Sequence, residues 1–136
     1  MLTFKEEKMS AEFTKWKILG LPFDAVLHHF TDSDKGLPHD HPFGFHSKIL
    51  FGGYTEMVYH LNPDGTWNSE MFVRRPHDSF FVAATQIHEI IALPWGDCYT
   101  LIQPQEKTRE SRFWKFDNDQ AASRAWNEKE FKPYNK

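Results

Sequence analysis

From Pro22 to Phe116 the chain is a succession of short apolar runs, each stopped by a turn signal before it could make a helix of useful length. The tetrapeptide "NPDG" at 62–65 is the clearest stop. Proline at its second position fixes φ, and the glycine closes the turn. The runs on either side, "YTEMVYHL" (54–61) and "TWNSEMFVRR" (66–75), read as partner strands. By the same reasoning "PFDAVLHHF" (22–30), "FHSKILF" (45–51), "SFFVAA" (79–84), "IHEIIAL" (87–93), "CYTLIQ" (98–103) and "RFWKF" (112–116) are strands. Seven or eight such segments, with no long amphipathic helix between them, point to an all-β barrel or sandwich and away from a doubly wound α/β fold. Outside this block the reading differs. Residues 1–18 suit a short helix or an irregular N-terminal arm, and "NDQAASRAWNEKEF" (118–131) is expected to form a C-terminal helix capped by Asn118 or Asp119.

A length of 136 residues fits one domain spanning 1–136. The 13 Phe, 5 Trp and 4 Tyr suit strands and pocket walls. A net charge of −3, with Arg74-Arg75 and "KTRESR" (107–112) as the only basic clusters, gives no footprint for a nucleic-acid partner. No stretch approaches a membrane span, and "MLTFKEEKMSAEFTKWK" lacks the apolar core of a signal peptide. The single cysteine, Cys98, excludes an internal disulfide and suits a reducing compartment, so a cytoplasmic protein is expected. No reactive motif surrounds Cys98, which reads as a small buried residue.

The stretch "GLPHDHPFGFHSKILFGGY" (36–54) places His39, His41 and His46 within eight positions. His39 and His41 are two apart, so in extended chain their side chains share one side, where both can reach one ion. His88 lies on a distant strand, sharing a face with Ile90 and Ala92. Neutral imidazoles suit Fe(II), Zn, Ni or Cu. Asp40 and Glu89, each next to one of these histidines, should point away by parity. His28, His29, His60 and His77 read individually as packed or surface residues. If the strand is regular, one of Arg74 and Arg75 faces inward, where a guanidinium could clamp a substrate carboxylate or else remain a solvated edge charge. Phe43, Phe45, Tyr54 and Tyr59 are candidates for a pocket wall. Glu56 is the nearest carboxylate on the following strand, either completing the ligand set or accepting an N–H from a ligand histidine.

With these residues the sequence resembles the cupin superfamily, whose first motif has the form G-x5-H-x-H-x3-4-E-x6-G. His39, His41, His46 and Gly53 reproduce the later spacing. Two departures stand out: His46 takes the place usual for glutamate, and Gly36 lies nearer to His39 than the motif's leading glycine. "SFFVAATQIHEI" lacks the P-x-G of the second motif but sets His88 where that motif's histidine falls. The chain is also similar to small bacterial and phage cupin-like proteins through "HDHPFGFHSKILFGGYTE", "YTLIQPQEKTRESRFWKF" and "RAWNEKEF", so the likeness covers about residues 24–131.

The resemblance implies a jelly-roll β-barrel with a divalent ion in its mouth, held by His39, His41, His88 and, by position, His46. Fe(II) leads among the metals, with Zn, Ni or Mn as alternatives. Three or four imidazoles would leave the ion its full charge and favour an anionic ligand. The activity implied is that of a metal-dependent enzyme of dioxygenase type acting on a small anionic or polar molecule. A metal-dependent isomerase or lyase, and a barrel that binds metal or ligand without turnover, are the alternatives. Tyr54, Glu56, Arg74 and Phe43 would contact the substrate or support the ligands. A small-molecule partner is expected, with homodimerisation open.

Overall fold

A computed structural model of the chain describes residues 1–33, 37–117 and 120–134. Its strands are β1 (Thr3–Lys8), β2 (Phe13–Leu19), β3 (Ala25–Phe30), β4 (Phe45–Phe51), β5 (Tyr54–Leu61), β6 (Trp67–Arg74), β7 (Ser79–Val82), β8 (Ile87–Ala92), β9 (Cys98–Pro104), β10 (Arg112–Asp117), β11 (Gln120–Ala125) and β12 (Lys132–Pro133). One layer is a six-stranded antiparallel sheet in the order β1-β2-β3-β9-β4-β7. The other is built from two ladders, β6-β5-β8 and β10-β11-β12. Between these two ladders stands His39, which bridges β8 at His88 and β10 at Phe113. His39 and His88 exchange both backbone bonds at 3.0 Å, and the Trp114 N–H donates to the Pro38 carbonyl at 2.9 Å. No described helix is long and apolar enough to cross a membrane.

The inward faces follow from strand alternation. In β4, Phe45, Ser47 and Ile49 are buried while His46, Lys48 and Leu50 are exposed; in β9, Cys98, Thr100 and Ile102 are buried; in β5, Tyr54, Glu56 and Val58 are. These faces close on each other around the Ile49–Tyr54–Ile90–Cys98 and Phe45–Val82–Ile102 clusters, and Ile87, Trp114 and Ala121 fill the far end. The glycine pair after β4 is required where the chain crosses between layers. Gly52 has φ +74°, and a Cβ on Gly53 would strike the Arg74 carbonyl and the Trp95 ring.

Two expectations are corrected. The C-terminal helix is absent: Gln120–Ala125 is β11, paired with β10 from Asp117↔Gln120 to Arg112↔Ala125. Ala121 and Ser123 turn inward there, and the packed ladder overrides the helix propensity of this segment. The proposed caps, Asn118 and Asp119, lie outside the described residues, as does Gly36. Nor are residues 1–18 an irregular arm or helix, since β1 and β2 pair along their whole length. Lysines at two alternate positions of "FTKWKIL" obscure its strand periodicity.

Candidate metal centre

His39 and His41 come from the segment that crosses the seam of the second layer, and His88 from β8 beside it. The three rings approach edge-on, with centroids 5.3 Å apart for His39–His41, 5.0 Å for His39–His88 and 4.9 Å for His41–His88. One ring nitrogen from each lies within 4.8 Å of the others. An ion held by imidazole at about 2.1 Å draws its ligand nitrogens within about 4 Å of one another, so small ring movements bring this cluster to one ion. His41 Nδ1 is buried and has no partner among the described residues, which fits a group that the protein does not itself supply. Burial, then the neighbouring His88, His39, His28 and Arg109, hold the His41 imidazole well below its ordinary pKa, in the neutral form that metals require.

Behind the cluster His88 Nδ1 lies 2.7 Å from Oε1 of Glu56, a fully buried carboxylate diagonal to it across the β5–β8 pair. Arg74 Nε donates to Oε2 of the same carboxylate at 2.6 Å, and its guanidinium lies between the Phe72 and Phe80 rings. Burial pushes the Glu56 carboxyl up, but the bonds and charges of His88 and Arg74 outweigh it and hold its pKa below the ordinary value. The ionised carboxylate therefore orients His88 and leaves that ring's other nitrogen toward the cluster. The His39 ring is set by Nδ1, 3.1 Å from the Leu37 carbonyl.

A second buried carboxylate fixes the segment between the ligands. Asp40 points away from the cluster and accepts from the Arg112 N–H at 2.7 Å, Trp114 Nε1 at 3.0 Å and the Arg109 guanidinium at 2.9 Å. Arg109 also donates to the His41 and Ala84 carbonyls at 3.1 and 3.2 Å. The chain at 105–111 thus straps the ligand segment down, with the Thr108 N–H on the Pro42 carbonyl as a further tie. Sequence reasoning gave Asp40 its direction and missed its partner; the only hint of Arg109 was its place in "KTRESR".

His46 is not brought to the cluster. It sits on the outer face of β4, exposed, with its ring 4.9 Å from that of Phe81. The resemblance carried it into the ligand set by position, but strand parity turns it outward while Phe45 and Ser47 turn in. Arg74 is likewise engaged by Glu56 rather than lining the space beside the histidines. That space is a cavity of about 410 Å³ between the sheets, walled by Phe43, Phe45, Tyr54, His28 and the three cluster imidazoles among others. Burial first, then the Glu56 charge, raises the Tyr54 phenol well above its usual pKa, so it stays a hydroxyl. Tyr59 faces elsewhere, stacked on Phe116 and donating to Glu89 at 2.8 Å. Burial lifts the Cys98 thiol to about 11, which makes it an inert core residue. His28, set aside in the sequence as packing, lines the cavity through the alternation of "AVLHHF".

No protein-family profile matches the sequence, and no curated protein sequence does. Solved structures match through the fold. A cupin-2 conserved barrel domain protein from Rhodopseudomonas palustris superposes with a TM-score of 0.60 at 11% identity, over 85% of this chain and 79% of that one. The polyketide cyclase RemF from Streptomyces resistomycificus gives 0.54 at 20% identity, over 85% and 83%. Hydroxypropylphosphonic acid epoxidase from S. wedmorenis gives 0.54 at 11% identity, over 74% of this chain and 55% of that one. At these identities the likeness shows the fold.

Proposed function

We propose that this chain, a cupin-type all-β barrel, is a metal-dependent enzyme of dioxygenase type acting on a small organic molecule that meets the metal through an anionic oxygen or sulfur. The observation that carries the reading is the convergence of His39, His41 and His88 on the wall of a cavity between the sheets, with His88 anchored from behind by a buried, ionised Glu56. Bound there, a divalent ion such as Fe(II) supplies a Lewis acid and a centre for reaction with O2. The protein's own groups position and enclose. Asp40 and Arg109 hold the ligand segment, Glu56 holds His88, and the aromatic wall keeps water from the reacting end of the substrate.

One observation weighs against the isomerase or lyase reading. Proton abstraction wants an available base, and of the two carboxylates lining the cavity Asp40 is already engaged by three donor groups, which leaves Glu12 alone. The fold neighbours, a cyclase and an epoxidase among them, show that this barrel hosts several chemistries.

Metal analysis of protein purified without a histidine tag tests the centre, with close to one divalent ion per chain expected. The double variant His39→Ala/His41→Ala should lose it while the barrel still folds, and full retention would refute the assignment. Oxygen uptake by the Fe(II)-loaded protein across small phenols, enols and thiols then tests the chemistry. Tight ligand binding with no uptake would replace the enzyme by a binding barrel.

A further inference from the structure

We propose that the cavity takes a molecule whose phenolic, enolic or thiol head lies at the three imidazoles and whose body is uncharged, aromatic or alkyl, with a hydroxyl or carbonyl recognised by His28, Thr100 and Ser47. The placement of the head rests on the metal-centre reading; the character of the body rests on the opposite wall alone.

That wall is the inner face of the six-stranded sheet. His28 on β3 and Thr100 on β9 are direct cross-strand partners, and Ser47 on β4 stands opposite Ile102, the next inward residue of β9. All three line the cavity, and among the described residues neither the Thr100 nor the Ser47 hydroxyl donates to a protein acceptor. Phe13, Phe30, Phe43 and Phe45 complete an apolar surround. Charge on this wall is confined to Lys15 and Glu12 at its β2 end. The guanidinium of Arg74 is held by Glu56 and that of Arg109 by Asp40, so neither is left to meet a substrate anion. Lys15 reaches the lining from β2, but its side chain is 33% exposed, and it lies 3.9 Å from Glu7 and shares the lining with Glu12. It therefore belongs to the solvated rim. Burial, then the charge of Lys15, hold His28 at a pKa of about 3, so at neutral pH it offers one N–H and one acceptor nitrogen without charge. An anionic group on the substrate body would lose water here and find no cation but Lys15, the cross-strand partner of His28, whose charge is shared with Glu7 and Glu12, whereas a neutral hydroxyl would exchange water for imidazole and hydroxyl partners.

The test compares p-cresol, p-hydroxybenzyl alcohol and p-hydroxybenzoate, which share a phenol head and differ only in the body. Each is titrated calorimetrically into zinc-loaded and metal-free wild-type protein. p-Cresol should bind at least about tenfold more tightly than p-hydroxybenzoate. The benzyl alcohol should gain about fivefold over p-cresol, and Thr100→Val and His28→Leu should each remove that gain. p-Hydroxybenzoate binding as tightly as p-cresol, above all if Lys15→Met abolishes it, would overturn the proposal, as would a hydroxyl preference that survives in both variants. Zinc uptake is read in a separate titration. If zinc fails to bind, the metal-centre reading falls, while the body preference is still decided on the metal-free protein.

Discussion

Asp40→Asn is the sharpest probe of how the ligand segment is held. The carboxylate is 2% exposed and receives a backbone N–H, an indole N–H and a guanidinium. An asparagine of the same size keeps one acceptor oxygen but turns an amide N–H toward donors. Losing the charge-assisted bond costs about 1.5–3 kcal/mol, and a buried donor left facing a donor adds about 1–3 kcal/mol. Arg109 is 28% exposed, so water recovers part of this. A net loss of about 3 kcal/mol is expected, within the range for breaking a buried pair and equivalent to about 10 °C in Tm for a domain of this size. Because Asp40 lies between His39 and His41, zinc affinity should also fall by about tenfold. Urea unfolding of the metal-free protein gives the first quantity, and competition with a chelating indicator gives the second. The cycle with Arg109→Met isolates the pair: the double variant should lose clearly less than the sum of the singles. Additive losses, or a single variant with stability and zinc affinity intact, would refute the strap.

Glu56→Gln should leave His88 without its ionised anchor and lower zinc affinity by about 10–100-fold, measured by the same competition. His46→Ala should leave zinc affinity within about twofold of wild type, because the ring sits outside the barrel; a tenfold loss would restore it to the ligand set. For His28 the folded pKa of about 3 lies below the unfolded value of 6.5, so the unfolded chain takes the proton first as pH falls. Its contribution is full above about pH 6.5 and is lost toward about pH 3, by up to ~1.4 kcal/mol per pH unit. His28→Leu should therefore flatten the pH dependence of urea stability of the metal-free protein between about pH 6 and 4 by close to one proton, and an unchanged slope would contradict the burial of that imidazole.

Strand positions were legible wherever alternation met a clear stop. Phe45–Phe51 and Tyr54–Leu61 begin and end at the residues the turn signals mark, although burial there follows strand parity, with Ser47 and Glu56 turned inward and Leu50 and Phe51 outward. The termini were not, for two different reasons. β2 carries Lys15 at an inward position, which only the cavity rim explains, and β11 is a strand because β10 lies beside it rather than because its residues favour extension. In the site, His39, His41 and His88 could be grouped from spacing and parity, and the carboxylate behind His88 was one of two open roles for Glu56. The roles of Asp40, Arg109 and His28 depend on contacts between segments far apart in the chain, and no local pattern carries those. His46 shows the opposite error. A motif position suggested a ligand where two-residue periodicity already faced the side chain outward.

The bridging position of His39 also has a kinetic side. Its backbone is paired with His88 on one flank, and the neighbouring Pro38 and Asp40 are bonded to Trp114 and Arg112 on the other. The three imidazoles therefore meet only when segments from the first, middle and last thirds of the chain are in register. Pairings of such long sequence separation are completed late, after most loop closure has been achieved. An ion that binds only this completed arrangement acts on the native state and hardly at all on the folding transition state. Its stabilisation should consequently emerge as slower unfolding, with the folding rate nearly that of the metal-free chain, so that the histidine seam serves as a latch on a barrel already closed.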